Sequence, residues 1–100
     1  MPTIEFFGFS YAATRDAQAQ IEKNTADIVL EEPMRLIVHK TDVVDMQGIS
    51  RPFIVLATAL SFTNNRNHDR LISALRAALP ETDIYTKRYQ EFFPGGTDEA

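Results

Sequence analysis

Residues 52–60 read PFIVLATAL and form the longest strongly apolar run of the 100-residue chain. The run is too short to cross a bilayer as a helix, which needs about 20 apolar residues. Its isoleucine, valine and phenylalanine favour extended structure, and an almost continuous apolar run is typical of a strand covered on both faces. We therefore predict a central strand here, opened by Pro52, because proline is tolerated at the first position of a strand.

Hydrophobic spacing on both sides of this run predicts alternating strands and helices. Ser10 is a candidate N-cap for the first helix, which Pro33 is expected to end. The predicted elements, in order, are strand 4–9, helix 11–31, strand 34–40, turn 45–50, strand 52–60, helix 68–79 and strand 83–88. This β-α-β-β-α-β order predicts an α/β (α+β) fold, with a four-stranded sheet and two helices on one face.

The two halves of the chain show the same pattern when one is shifted by fifty residues. The shift places Pro2 on Pro52 and Ile4 on Ile54, and the order and length of the elements agree as well. We interpret this as a duplicated β-α-β unit. The prediction is one domain over residues 1–96, with repeats at 2–46 and 52–93 and a loose tail at 97–100.

Composition narrows the range of functions. There is no cysteine, which excludes disulfides, thiolate metal sites and cysteine catalysis. Fourteen acidic against ten basic residues give a net charge of −4, which disfavours sequence-independent nucleic-acid binding. His39 and His68 are far apart and lack grouped carboxylates, so no metal site is predicted. The sequence shows no secretory signal or membrane segment, and we expect a cytoplasmic protein.

Several short motifs together resemble the tautomerase superfamily, which includes 4-oxalocrotonate tautomerase and macrophage migration inhibitory factor. Met1-Pro2 leads directly into a strand, and a later strand carries Met34-Arg35-Leu36-Ile37-Val38. The second half looks most like an uncharacterised bacterial branch of tautomerase-like domains. The features that carry this second likeness are Met46-Gln47-Gly48, the strand from Pro52, the helix from His68 and the segment Tyr89-Gln90-Glu91-Phe92-Phe93-Pro94-Gly95.

The resemblance implies a specific chemistry without a cofactor. In these enzymes the initiator methionine is removed, and the proline nitrogen moves a proton between carbon and oxygen of a keto–enol acid. Pro2 would be this base, and Arg35 would bind the carboxylate or polarise the carbonyl of the small-molecule substrate. The family's other arginine, just after the first strand, has no counterpart, since Arg15 lies several residues late. The usual dicarboxylate substrate is therefore not implied.

The resemblance also implies a homotrimer whose three sheets enclose a central channel. In such trimers, late segments of one chain help to build the site of the next. Lys87 or Arg88 would then replace the missing arginine as a substrate-binding cation. No nucleic acid or membrane partner is implied.

Strand alternation places the candidate residues on particular faces of the sheet. If Leu36 faces the helices, then Arg35 and His39 face the other side. Arg35 there needs solvent, a ligand anion or an acidic partner, and Glu5 on the neighbouring strand is a candidate for the last. We expect His39 to be a packed or exposed surface group and His68 to be a surface group.

Two other classes of protein share this element order and size. One is the dimeric α/β-barrel monooxygenase-like enzymes, for which a deep apolar pocket beneath the first helix would be evidence. The other is a non-catalytic ferredoxin-like module that binds a small ligand or mediates assembly. Retention of Met1, with no pocket at the start of the first strand, would favour this last interpretation.

Overall fold

The fold was analysed in a computed structural model, which describes residues 2–28, 34–59 and 65–89. Six elements follow one another in the predicted order. They are β1 (Thr3–Phe7), α1 (Tyr11–Thr25), β2 (Arg35–His39), β3 (Phe53–Ala59), α2 (Asn65–Ala78) and β4 (Asp83–Tyr89). Neither α1 nor α2 is long and apolar enough to span a bilayer.

The four strands form one mixed sheet in the order β2-β1-β3-β4. β1 runs parallel to β2, β3 runs parallel to β4, and the two pairs meet at the antiparallel contact of β1 with β3. Each parallel pair is joined through a helix, as β-α-β units require. The predicted four-stranded sheet with two helices is therefore confirmed.

The core lies between the helices and one face of the sheet. Ile4 and Phe6 of β1 and Ile54 and Leu56 of β3 are fully buried, because alternate residues of a strand point to the same face. The helices cover them with a small set of apolar side chains: Ala17 and Ile21 from α1, and Leu71 and Leu75 from α2. The other face of the sheet, which we call the open face, carries the remaining side chains of each strand.

The first helix ends earlier than the sequence suggested. Ser10 caps it as expected, with its Oγ accepting a hydrogen bond from Ala13 N at 3.1 Å. The helix stops at Thr25, whose hydroxyl donates to the carbonyl of Ile21 at 2.8 Å. Such local polar contacts compete with the backbone ladder. The prediction that Pro33 ends this helix is wrong, and Pro33 itself lies outside the described residues.

Within a single chain, only one face of the apolar strand β3 is fully covered. Phe53 and Val55 alternate with the core positions and are half-buried on the open face. On the same face, Ile37 keeps 37% of its surface exposed and Tyr85 keeps 56%. The expectation that β3 is covered on both faces is thus not met by the described part of this chain.

Two other expectations concern the end of the chain. The second helix begins at Asn65, three residues before the predicted start. Residues 90–100, including the predicted loose tail at 97–100, lie outside the described residues. The predicted domain limits, 1–96, stay a prediction.

The predicted turn at 45–50 is held by one carboxylate. Asp45 Oδ1 accepts hydrogen bonds from Gln47 N at 2.8 Å and from Ile49 N at 3.0 Å, and Oδ2 accepts one from Arg51 Nε at 3.0 Å. The hydrogen bond from Ile49 is the main reason that the pKa of Asp45 is lowered. Gly48 takes a positive φ of 82°, as expected for this turn.

Gly8 has the same positive φ as Gly48, but its surroundings differ. A Cβ at Gly8 would lie 3.0 Å from Cβ of Val43 and 3.4 Å from Cα of Pro52, whereas nothing lies within 4 Å at Gly48. We expect Gly48→Ala to destabilise the fold by about 1–2 kcal/mol through backbone strain alone. Gly8→Ala should cost about 1–3 kcal/mol more, because crowding is added.

Urea unfolding of the two variants measures this difference directly. Since both positions share one φ, subtracting the two losses of unfolding free energy isolates the crowding. Equal losses would contradict the close approach of residue 8 to Val43.

Candidate functional site

Pro2 lies at the start of β1 and is fully buried. Its carbonyl oxygen accepts a hydrogen bond from Arg35 N at 2.9 Å, so the first residue of β2 is tied to it directly. The same bond continues the parallel register, in which Thr3 lies opposite Arg35. The two residues that the sequence singled out are therefore neighbours at one end of the sheet.

The Arg35 side chain lies on the open face and is exposed, as strand alternation predicted. Within residues 2–28, 34–59 and 65–89, no carboxylate lies within ion-pair distance of it. Pro2 is two residues before Ile4, so its side chain faces the helices like that of Ile4. Its nitrogen, however, is a main-chain atom at the end of the sheet. That atom is therefore not confined to one face.

Glu5 does not pair with Arg35, contrary to one expectation. Its Oε1 lies 2.9 Å from His39 Nε2, and its Oε2 lies 3.7 Å from Lys87 Nζ. Glu5 lies opposite Ile37, two residues from Arg35 and two residues from His39, so the register alone does not select between these partners. Glu5 instead reaches diagonally to His39 on one side and across β3 to Lys87 on the other.

His39 is a packed group of the open face, as expected. Its ring stacks on Phe7 at 4.1 Å between centroids, and Phe7 stacks on Phe53 at 4.7 Å. The Phe53 ring meets Tyr85 edge-on at 5.6 Å. An aromatic row thus crosses all four strands at the end of the sheet away from Pro2.

Lys87 and Arg88 lie on opposite faces of the sheet, so they do not form one clamp on a single surface. The row Arg35–Thr3–Ala57–Lys87 runs across the four strands and places Lys87 on the open face, where its side chain is 60% exposed. Arg88 lies in register with the buried Thr58 on the helix side. Successive residues of a strand alternate in this way.

His68 is the functional candidate that the sequence analysis missed. It is half-buried rather than on the surface, and its Nδ1 lies 3.4 Å from Oγ1 of the fully buried Thr58. Burial is the main cause that lowers the pKa of His68, and the positive charge of Arg88 lowers it further. A neutral imidazole can accept a proton, which suits a general base.

Continuing the β1–β3 register brings His68 to the same end of the sheet as Pro2. Thr3 lies opposite Ala57, so the residue before it, Pro2, lies across from Thr58. Thr58 is a polar residue at a helix-facing position of β3, where Ile54 and Leu56 are apolar. This break in the apolar pattern was the signal in the sequence that could have identified the contact with His68.

Comparison with known proteins gives structural matches alone. No family model matches the chain, and no curated protein matches it. A domain of unknown function (DUF1904) from Sebaldella termitidis aligns with a TM-score of 0.63 at 13% identity, over 92% of this chain and 90% of that one. Leishmania major MIF2 aligns with a TM-score of 0.58 at 14% identity, over 97% and 94%.

A fused wild-type 4-OT, named as a symmetric trimer, aligns with a TM-score of 0.58 at 12% identity, over 89% of this chain and 84% of that one. The chain has the tautomerase-superfamily fold. The resemblance seen in the sequence is thereby confirmed at the level of the fold. Identities of this size carry no information on activity.

A pocket of about 740 Å³ lies between the start of α1 and the end of β2, with Phe9, Tyr11 and Val38 in its lining. Ala17 and Ile21 on the underside of α1 are buried in the core with Phe6. The pocket carries the charged side chains of Arg15, Lys40 and Asp42 as well as apolar ones, so it matches only in part the deep apolar pocket expected of a monooxygenase-like enzyme. Among the described residues, no three His, Asp or Glu side chains are grouped to hold a metal ion.

The contact of His68 with Thr58 in this tautomerase fold predicts a pH dependence of stability. Because the folded-state pKa of His68 is below the ordinary 6.5, the unfolded chain binds the proton first as the pH falls. The contribution of His68 to the free energy of unfolding is retained above pH 6.5 and lost as the pH drops below it. We expect His68→Gln to reduce this loss, measured by urea unfolding between pH 7.5 and 5.

Arg88→Gln provides a graded comparison for the same measurement. Removing its charge should raise the pKa of His68 towards its ordinary value and so reduce the slope in part. Identical slopes for the wild type and His68→Gln would show that His68 does not resist protonation in the folded state.

Proposed function

We propose that this protein is a tautomerase that moves a proton between carbon and oxygen of a small keto–enol acid. The base is the imino nitrogen of Pro2, once Met1 has been removed. One observation carries the proposal: a buried Pro2 directly precedes β1 beside Arg35, whose exposed side chain has no acidic partner among the described residues. The tautomerase-superfamily fold supports it.

A terminal proline is well suited to proton transfer near neutral pH. Its secondary amine has no amide bond after methionine removal, and α-amino groups ordinarily titrate at about 7.7–8.0. Burial favours the neutral form of an amine, because the charged form loses hydration. A neutral amine whose pKa is near the working pH is an efficient general base. The burial of Pro2 supports this role.

Arg35 would hold the substrate carboxylate. The planar guanidinium donates two parallel hydrogen bonds to a carboxylate, which fixes the orientation of the acid as well as its charge. Lys87 lies in the same row of the open face, and its contact with Glu5 is long at 3.7 Å. We assign Lys87 to binding of the substrate anion on the open face. Arg88 lies on the helix side of the sheet, in the same row as Thr58 and Pro2.

The open face supports assembly into a homotrimer. Half-buried Phe53 and Val55 and exposed Ile37 and Tyr85 leave apolar surface there that a second chain would cover. The fused 4-OT of similar fold is named as a symmetric trimer. We propose that three sheets face inwards around a central channel, so that the open face of one chain contributes to the site of the next.

The oligomeric state tests this assembly. Light scattering at micromolar concentration should give three times the 11.3 kDa mass of the chain. Tyr85→Lys, which places a charge on the open face, should shift the mass towards one chain. Gln20→Lys adds the same charge on the exposed side of α1 and should leave the trimer intact. A single-chain mass for the wild type would overturn the proposal.

The enzymatic proposal is tested with phenylenolpyruvate as substrate. The protein is purified without an N-terminal tag, and its intact mass establishes that Met1 has been removed. We expect Pro2→Ala to lower kcat/KM by about 10²-fold or more, because the general base is changed. Arg35→Gln should mainly raise KM, because the carboxylate anchor is lost, whereas Arg76→Gln on the exposed side of α2 should change neither constant.

Two outcomes would overturn the mechanism. One is a Pro2→Ala variant that ketonises the substrate at the wild-type rate. The other is an intact mass that includes methionine in natively produced protein, because the nitrogen of Pro2 would then be an amide.

A further inference from the structure

A pocket of about 740 Å³ lies at the end of the sheet opposite Pro2, and the proposed proton transfer does not use it. Its walls come from the start of α1 and from the end of β2 with the residues that follow. The five residues of β1 separate the two ends by roughly 16 Å, at about 3.3 Å per residue. Its volume lies within the roughly 300–1,000 Å³ usual for small-molecule sites.

The pocket has an apolar wall. Phe9, the ring of Tyr11 and Val38 line it. Phe9 is held by Phe6 of the core, whose ring it meets edge-on at 5.3 Å. A flat or apolar ligand body would therefore rest on a wall in which Phe9 is anchored in the core and Tyr11 and Val38 are exposed.

The charges of the pocket favour an anion. Arg15 and Lys40 line it together with one acidic side chain, Asp42, so its net charge is positive in a chain whose net charge is −4. Within the described ranges, neither Arg15 nor Lys40 forms an ion pair with a carboxylate. Both cations are thus available to a ligand anion.

Arg15 is positioned by its neighbour. Its Nη1 donates to Tyr11 Oη at 3.0 Å, and the guanidinium carbon lies 5.8 Å from the centroid of the Tyr11 ring. The remaining N–H groups of the guanidinium can donate in parallel to a carboxylate. An arginine already held in one geometry loses less rotamer freedom on binding.

We propose that this pocket binds a small aromatic monocarboxylate, with the ring on the wall of Phe9, Tyr11 and Val38 and the carboxylate between Arg15 and Lys40. Asp42 sets the limit on charge. With Asp42 beside Arg15 and Lys40 the pocket has one net positive charge, which a monoanion neutralises. The proposal does not depend on Pro2 acting as a base.

The direct test is titration with 2-naphthoate, followed by its fluorescence at low salt. This acid has no enolisable carbon, so it reports binding and not turnover. We expect saturable binding that Arg15→Gln and Lys40→Gln each weaken about tenfold, since a charge-assisted hydrogen bond is lost. Asp42→Asn should tighten binding, because the repelling charge is removed. The neutral 2-naphthamide should bind more weakly than the acid.

The controls separate this site from general charge attraction and from the Pro2 end. Lys23→Gln and Arg76→Gln remove equal charges from exposed helix positions outside the pocket and should bind like the wild type. An unchanged melting temperature shows that each variant is folded. Absence of saturable binding, or equal weakening by the control variants, would overturn the proposal. So would a loss of binding in Arg35→Gln that Arg15→Gln does not show.

Discussion

The antiparallel pairing of β1 with β3 is the constraint on which the molecule depends. It joins the two β-α-β units and sets opposite each other the four side chains at the centre of the core: Ile4, Phe6, Ile54 and Leu56. A shift of one residue in this pairing would move every one of them to the other face. The same pairing brings Pro2 across from Thr58, so the candidate site is positioned by the contact that builds the core.

The order of elements followed from the sequence because it depends on local patterns. The apolar run of residues 52–60, the helical stripe through Ala17 and Ile21, and the glycine of the turn at 48 each act over a few residues. The end of α1 did not follow. The helix ends at Thr25, eight residues before Pro33, and Thr25 makes the same hydroxyl-to-carbonyl contact that Thr14 makes within the helix, so no local pattern marks this end.

The partner of Glu5 could not be derived, because strand pairing places two candidates equally near it. Glu5 lies opposite Ile37, with Arg35 and His39 each two residues away on the same face, and the structure pairs it with His39. The placement of Lys87 and Arg88 on opposite faces could, however, have been predicted from the sequence, because adjacent residues of a strand face opposite ways. Alternation also marked Thr58 as a polar residue among core positions, which leads to His68.

The order β2-β1-β3-β4 leaves β2 and β4 with a neighbouring strand on one side only, within the described part of the chain. Uncovered strand edges recruit other chains, and lysine and arginine side chains are a common protection against this. Arg35 stands at the start of one border, and Lys87 and Arg88 lie along the other. Cations at both borders disfavour the pairing of a further strand with either edge of this sheet. A neutral residue at one of these positions would leave that border open to a strand from another chain.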